Sequence, residues 1–219
     1  MLILIPNAME GERNTMRRYE FAIEDPKEIE DFLNGMSFGF LGTVDEHGLP
    51  RVTPLNFVYV QESFYFHGSR LGEKMEHLRR TPAVSFTVAD EYALIPSYFS
   101  DPEMACPATA YFKSVTAAGE AFLVDDLEEK ALAMEAMMRK LQPEGGYRTI
   151  DAGDRAYASR LKGVAVIKLV PKRMSAKFKF GQNLKPDRLQ DMIGRLEQRG
   201  RSRDGETAAH ICKYYPGPR

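Results

Sequence analysis

Between Ser37 and His67 the chain alternates runs of aromatic and β-branched residues with short polar breaks, and this pattern most restricts what it can fold into. Ser37–Asp45 is followed by Glu46-His47-Gly48, Leu49–Val60 by Gln61-Glu62-Ser63, and then comes Phe64–His67. Runs joined by breaks this short pair as antiparallel hairpins, because parallel neighbours need a crossover of a dozen or more residues. Further strands are expected at Ala83–Ala89, at Tyr111–Val124 with a bend or bulge at Gly119, and at Val164–Val170, extended after Pro171 by Met174–Phe180. The count is about six strands without the βαβ alternation of a parallel sheet. The expected class is mainly β with helices (α+β), an antiparallel barrel whose closure removes exposed edges.

Helix signals fall between these strands. Asp25 is a candidate N-cap, with Pro26 at the first helical position, Glu28 in the first turn, and Ile29, Phe32, Leu33 and Met36 at helical spacing. Ser69–Thr81 places Leu71, Met75 and Leu78 on one face. Asp125 and Asp126, each with a glutamate three residues on, precede Leu127, Ala131, Met134, Met138 and Leu141. Lys185-Pro186-Asp187 opens a last helix with Leu189, Met192, Ile193 and Leu196. Residues 1–15 read as an extension, 16–198 as the single domain, and 199–219 as an aperiodic tail.

Composition removes several function classes. The 219 residues are 43% hydrophobic, enough for one sizeable core. Thirty basic against 31 acidic residues leave a formal charge of −1, so no basic excess points to nucleic acid, and an anion site must be local. Cys106 and Cys212 are too few for a disulfide framework and suit a reducing cytoplasm. The apolar run Met1–Ile5 is too short for a signal peptide or a membrane span, and no other segment approaches that length. His210 and Cys212 lack further ligands nearby in sequence, so no metal is expected.

One stretch could carry chemistry. Phe66-His67-Gly68-Ser69-Arg70-Leu71-Gly72-Glu73-Lys74 runs from a strand end into a helix start, where free N–H groups and the positive end of the helix dipole favour an anion. Arg70 and Lys74 add charge one turn apart, which suits a phosphate, although any strand-to-helix turn can use Gly and Ser. On the preceding strand, Arg51-Val52-Thr53-Pro54-Leu55-Asn56 puts Arg51 and Thr53 on one face at period two. Alone, these read as a solvated arginine and an ordinary strand threonine.

Taken in order, Phe40–Pro50, Arg51–Asn56, Tyr65–Gly68 with Gly72 and Lys74, and Tyr111–Val115 with Gly119 resemble the FMN-binding split β-barrels of the pyridoxamine 5'-phosphate oxidase-like superfamily, and within them the Nim-type nitroimidazole-resistance proteins. The resemblance spans roughly residues 16–180. It implies FMN bound at the interface of a homodimer. Arg51, Val52, Thr53, Pro54, Leu55 and Asn56 would lie along the flavin beside Phe66, and Ser69, Gly72 and Lys74 would hold its phosphate. Ser114 and Val115 would approach from the neighbouring subunit. His67 matches the histidine that Nim-type proteins place near the flavin, as a candidate catalytic proton donor. The ending Ser175–Asn183 is similar to that of FMN-binding regulators of the superfamily, which would bring Lys177, Gln182 and Asn183 to the site. A chain with no Trp lacks the Trp- and Arg-rich ending of pyridoxamine-phosphate oxidases proper, so that substrate is not expected.

The leading expectation is therefore an FMN-dependent oxidoreductase passing electrons to a small-molecule acceptor such as a nitro compound. The alternative is a non-catalytic flavin- or haem-binding protein. A flavin-sensing regulator ranks last, because no DNA-recognition helix is visible.

Overall fold

In the computed structural model, which describes residues 16–215, the side chain of Asp25 accepts a hydrogen bond from the Lys27 amide at 3.0 Å and starts the first α-helix at Pro26. The elements are β1 (Ala22–Ile23), α1 (Pro26–Gly35), β2 (Phe38–Val44), β3 (Pro50–Asn56), β4 (Val58–Val60), β5 (Ser63–Gly68), α2 (Glu73–Arg80), β6 (Ala83–Ile95), β7 (Thr109–Leu123), α3 (Leu127–Leu141), α4 (Arg155–Gly163), β8 (Ala165–Lys179), α5 (Pro186–Arg199) and α6 (Asp204–Tyr214). The strands form one sheet in the order β3-β2-β6-β7-β8-β5-β4, with β1 paired to β8. The fold is the antiparallel split barrel of α+β class. Residues 1–15, read above as an extension, lie outside the described residues, as do 216–219.

The chain divides into two compact units. The first comprises residues 25–88 and 115–174. Its centre is an aromatic cluster in which Phe86 touches Phe57, Phe64 and Phe66, with ring centroids 4.8–5.2 Å apart. A second layer joins Val58, Tyr65 and Val166 to Ala133 and Met137 of α3. Strand β5 is thus buried on both faces, which is why its sequence is a continuous apolar run instead of an alternation. Gly119 is required where β7 meets β8, since a Cβ there would stand 2.0 Å from the Val170 carbonyl oxygen.

The second unit is built from the described parts of 1–24, 89–114 and 175–219. Here α5 buries Leu189, Met192 and Leu196, and Phe178 and Phe180 are fully buried. Strand β6 runs to Ile95, past the expected end at Ala89, because the acidic residue that follows is neutralised. Both carboxylate oxygens of Asp90 accept from Arg203 at 2.8 Å, and that guanidinium lies 3.9 Å from the Tyr92 ring centroid. The segment after residue 198 was expected to lack periodic structure, yet it carries α6. It docks through the buried Thr207, Ala208 and Ile211 and through a buried polar contact at its start. Asp204, 2% exposed, takes both Arg199 Nη2 at 2.6 Å and Nε at 2.9 Å.

Candidate functional site

Strand β3 pairs with β2 in a register that sorts its residues by face. Thr43 faces Arg51, Leu41 faces Thr53 and Gly39 faces Leu55, so Arg51, Thr53 and Leu55 share a face with the buried Leu41 and Thr43. Helix α2 docks on this face, where Thr43 Oγ1 and His77 Nδ1 are 2.9 Å apart. Val52 and Pro54 point the other way, beside Phe40 and Gly42.

Arg51 reaches from β3 to the start of α2. Its Nε lies 2.9 Å from Glu73 Oε1 and its Nη2 lies 3.4 Å from Oε2. The α2 N-cap is Gly72, with φ 112° and ψ 168°, a backbone conformation that favours glycine and leaves the helix start without a side-chain cap. The amides of Met75 and Glu76 turn back to the Gly72 carbonyl, at 3.0 and 3.3 Å. The Lys74 side chain folds over the end of β5, so that a Cβ on Gly68 would lie 2.9 Å from Nζ. Ser69 Oγ accepts from the Leu71 amide at 3.0 Å and shapes the intervening loop.

Arg51, Ser69, Gly72 and Lys74 thus belong to one corner formed by β3, the end of β5 and the first turn of α2. Two cations, a hydroxyl and a helix start without a side-chain cap form a donor set that fits a phosphate. Arg70 is turned elsewhere, with its Nη2 3.1 Å from the Lys162 carbonyl oxygen.

The other expected residues are placed as follows. Phe66 is fully buried against Phe86, so its side chain belongs to the core. Val115 and Leu55 are also buried, while Asn56 donates to the Ser37 carbonyl at 2.8 Å. His67 is exposed, and alternation along β5 turns it to the face opposite Phe66 and Gly68, away from Lys74. Ser114, Lys177, Gln182 and Asn183 fall in the second unit. There Lys177 Nζ lies 5.7 and 5.5 Å from the Phe21 and Phe112 ring centroids. Gln182 spends both ends of its amide on its own turn, accepting from the Phe180 amide at 2.7 Å and donating to the Phe178 carbonyl at 2.6 Å.

Two features were not anticipated. Glu73 is the direct partner of Arg51, and a first-turn acid was the only trace of this in the sequence. The outer face of β2 and β3 presents Phe38, Phe40, Val44 and Val52, each 38–67% exposed, with the Phe38 and Phe40 rings edge to face at 6.0 Å. Such a contiguous apolar surface is unusual on an unpartnered protein.

The antiparallel split barrel defines a class of fold, and comparison with known proteins places the chain within it. The family described as pyridoxamine 5'-phosphate oxidase matches residues 25–178, and the chain belongs to that family. Among solved structures it is similar to a candidate 5-nitroimidazole antibiotic resistance protein from Bacteroides thetaiotaomicron, with 26% identity over 71% of this chain and 85% of that one, at a TM-score of 0.57. It shares its fold with a flavocytochrome from Azotobacter vinelandii (23% identity, 74% and 71% covered, TM-score 0.59) and with an FAD and heme binding protein from Mycobacterium smegmatis (16% identity, 80% of each covered, TM-score 0.59). No curated protein matches the chain significantly in sequence.

Proposed function

We propose that this chain is a homodimeric FMN-dependent oxidoreductase that passes electrons to a small-molecule acceptor, with a nitro compound as the first to test. The observation that carries the reading is the corner where Arg51, Ser69 and Lys74 meet the first turn of α2. Lys74 and Arg51 would bind the FMN phosphate by charge-assisted hydrogen bonds, with the Ser69 hydroxyl and the α2 amides completing the cradle. Val52 and Pro54, on the outer face of the same strand, would exclude water from one side of the ring system. When bound, the flavin supplies hydride and single-electron transfer. His67 is assigned to delivering a proton from its imidazole to the acceptor.

The exposed apolar face of β2 and β3 supports a second copy of the chain as the partner. A two-fold contact sets one patch against itself, so Phe38, Phe40, Val44 and Val52 would be covered twice over by a single interface. The similarity to a candidate nitroimidazole-resistance protein is what puts nitro compounds first among acceptors.

A visible spectrum of the purified protein tests the cofactor, with an oxidised flavin band in the blue expected. Reduction by a nicotinamide cofactor without oxygen, then reoxidation on adding a nitroaromatic, tests the activity. A Soret band in place of the flavin band would favour a haem-binding protein. A flavin that no nitro or quinone acceptor reoxidises would favour a carrier.

A further inference from the structure

We infer that Glu73 is a specificity-determining residue of the flavin site, a built-in counterion that competes with the ligand's phosphate for Arg51 and so lowers the preference for FMN over uncharged flavin. The inference rests on the reading of this corner as the phosphate site. It adds a residue that works against binding.

Glu73 is the first residue of α2, where a carboxylate interacts favourably with the helix dipole. A ligand phosphate at the same helix start draws on the same positive potential. Both oxygens of Glu73 also address Arg51, at 2.9 and 3.4 Å, in a side-on geometry a phosphate could adopt in its place. Arg51 therefore arrives with its charge already matched, whereas Lys74 lies along Gly68.

Local charge makes the consequence quantitative. With Glu73 ionised, the two cations and one anion leave the corner a net charge of +1, facing a phosphate of roughly −1.5 to −2 at neutral pH. Binding must either break the Arg51–Glu73 pair or hold two anions around one guanidinium. The pair is half exposed, with side-chain exposures of 54% and 55%, so it can open without unfolding anything and its competing effect is modest. Riboflavin makes no such demand.

The test measures dissociation constants for FMN and riboflavin by flavin fluorescence, on wild-type protein, Glu73→Gln, Arg51→Ala and the double variant, with melting temperature as a check on folding. Glu73→Gln should tighten FMN by roughly three- to tenfold and leave riboflavin unchanged, since Gln keeps the shape and removes the charge. In the Arg51→Ala background the same change should give a smaller gain. Unchanged or weaker FMN binding in Glu73→Gln, or an equal change for both flavins, would overturn the inference while leaving the flavin site standing. Wild-type protein that bound neither flavin would overturn the site and the inference together.

Discussion

The guanidinium of Arg70, in the loop before α2, donates to the main-chain carbonyl of Lys162 in the last turn of α4, 3.1 Å away. Arg79 from the end of α2 in turn holds the Arg70 carbonyl at 3.0 Å. The neighbouring carbonyls of Leu161 and Val164 take the buried Lys130 ammonium at 2.9 and 3.0 Å. Burial, and then the nearby Arg70 charge, pull that ammonium below the usual lysine range. Two cations thus meet the negative end of one helix, and one of them pins the loop that carries Ser69.

Arg70 should accordingly position the loop of the proposed phosphate site without touching the ligand. Losing one such hydrogen bond costs about 0.5–1.5 kcal/mol, so Arg70→Ala should weaken FMN by about two- to tenfold, with Arg70→Lys recovering part of the loss. Riboflavin should weaken less. Calorimetric titration of both ligands would show it, and equal weakening would assign Arg70 to overall stability.

The turn between β4 and β5 holds Gln61 at φ 49° and Glu62 at φ 58°, both in the left-handed region without a glycine. Two-residue hairpins of this type favour Asn-Gly, and each ordinary residue there costs roughly 1–2 kcal/mol. Glu62→Gly should therefore raise stability by about 1 kcal/mol, or about 2–4 °C in melting temperature for a chain of this size. Scanning calorimetry would detect the shift, and a fall would mean that unfolded-state entropy outweighs the relieved strain.

Lys140 predicts an alkaline dependence. Its ammonium reaches the Leu33, Met36 and Phe57 carbonyls at 3.0, 2.6 and 3.4 Å, and burial lowers its pKa to about 8 from 10.5. Between those values the unfolded chain holds more protons than the folded one, so stability from this group rises with pH from about 8 to 10.5 and is lost as pH falls through 8. The melting temperature of wild-type protein relative to Lys140→Met should increase across that window. A flat difference would count against the shift.

Much of this architecture was legible because its signals are local. Asp25-Pro26, Asp126 before Leu127, and the polar breaks at Glu46–Gly48 and Gln61–Ser63 state where helices begin and strands turn. Helix α4 went unread because Leu161 is its only buried residue, although Asp154, whose side chain accepts from the Ala156 amide at 2.8 Å, was a usable start signal. Helix α6 buries Ala208 and Ile211 at helical spacing, a short signal among polar neighbours, and its start depends on Arg199 meeting Asp204, a pairing of charges that apolar periodicity does not reveal. At the site, the sequence supplied Arg51 and Lys74 as cations. It could not say that Arg70 turns to α4, or that Glu73 claims Arg51, because both depend on where the loop before α2 travels.

Phe40 offers a check on assembly. It is 45% exposed on the outer face of β2, so Phe40→Asp should leave the fold intact and place a charge in the proposed interface. Sedimentation should show wild-type dimers and mutant monomers with the same circular dichroism. Monomers for both would remove the second copy from the proposal.

Strand β3 stands at one end of the sheet order and carries Pro50 and Pro54 within seven residues. A terminal strand with exposed Val52 on it invites foreign chains to add by main-chain pairing, the first step of aggregation. Proline cannot donate to such a ladder, so the two prolines break the pairing of any added strand into fragments too short to hold. Two missing N–H groups thus make this terminal strand a poor template for a foreign chain.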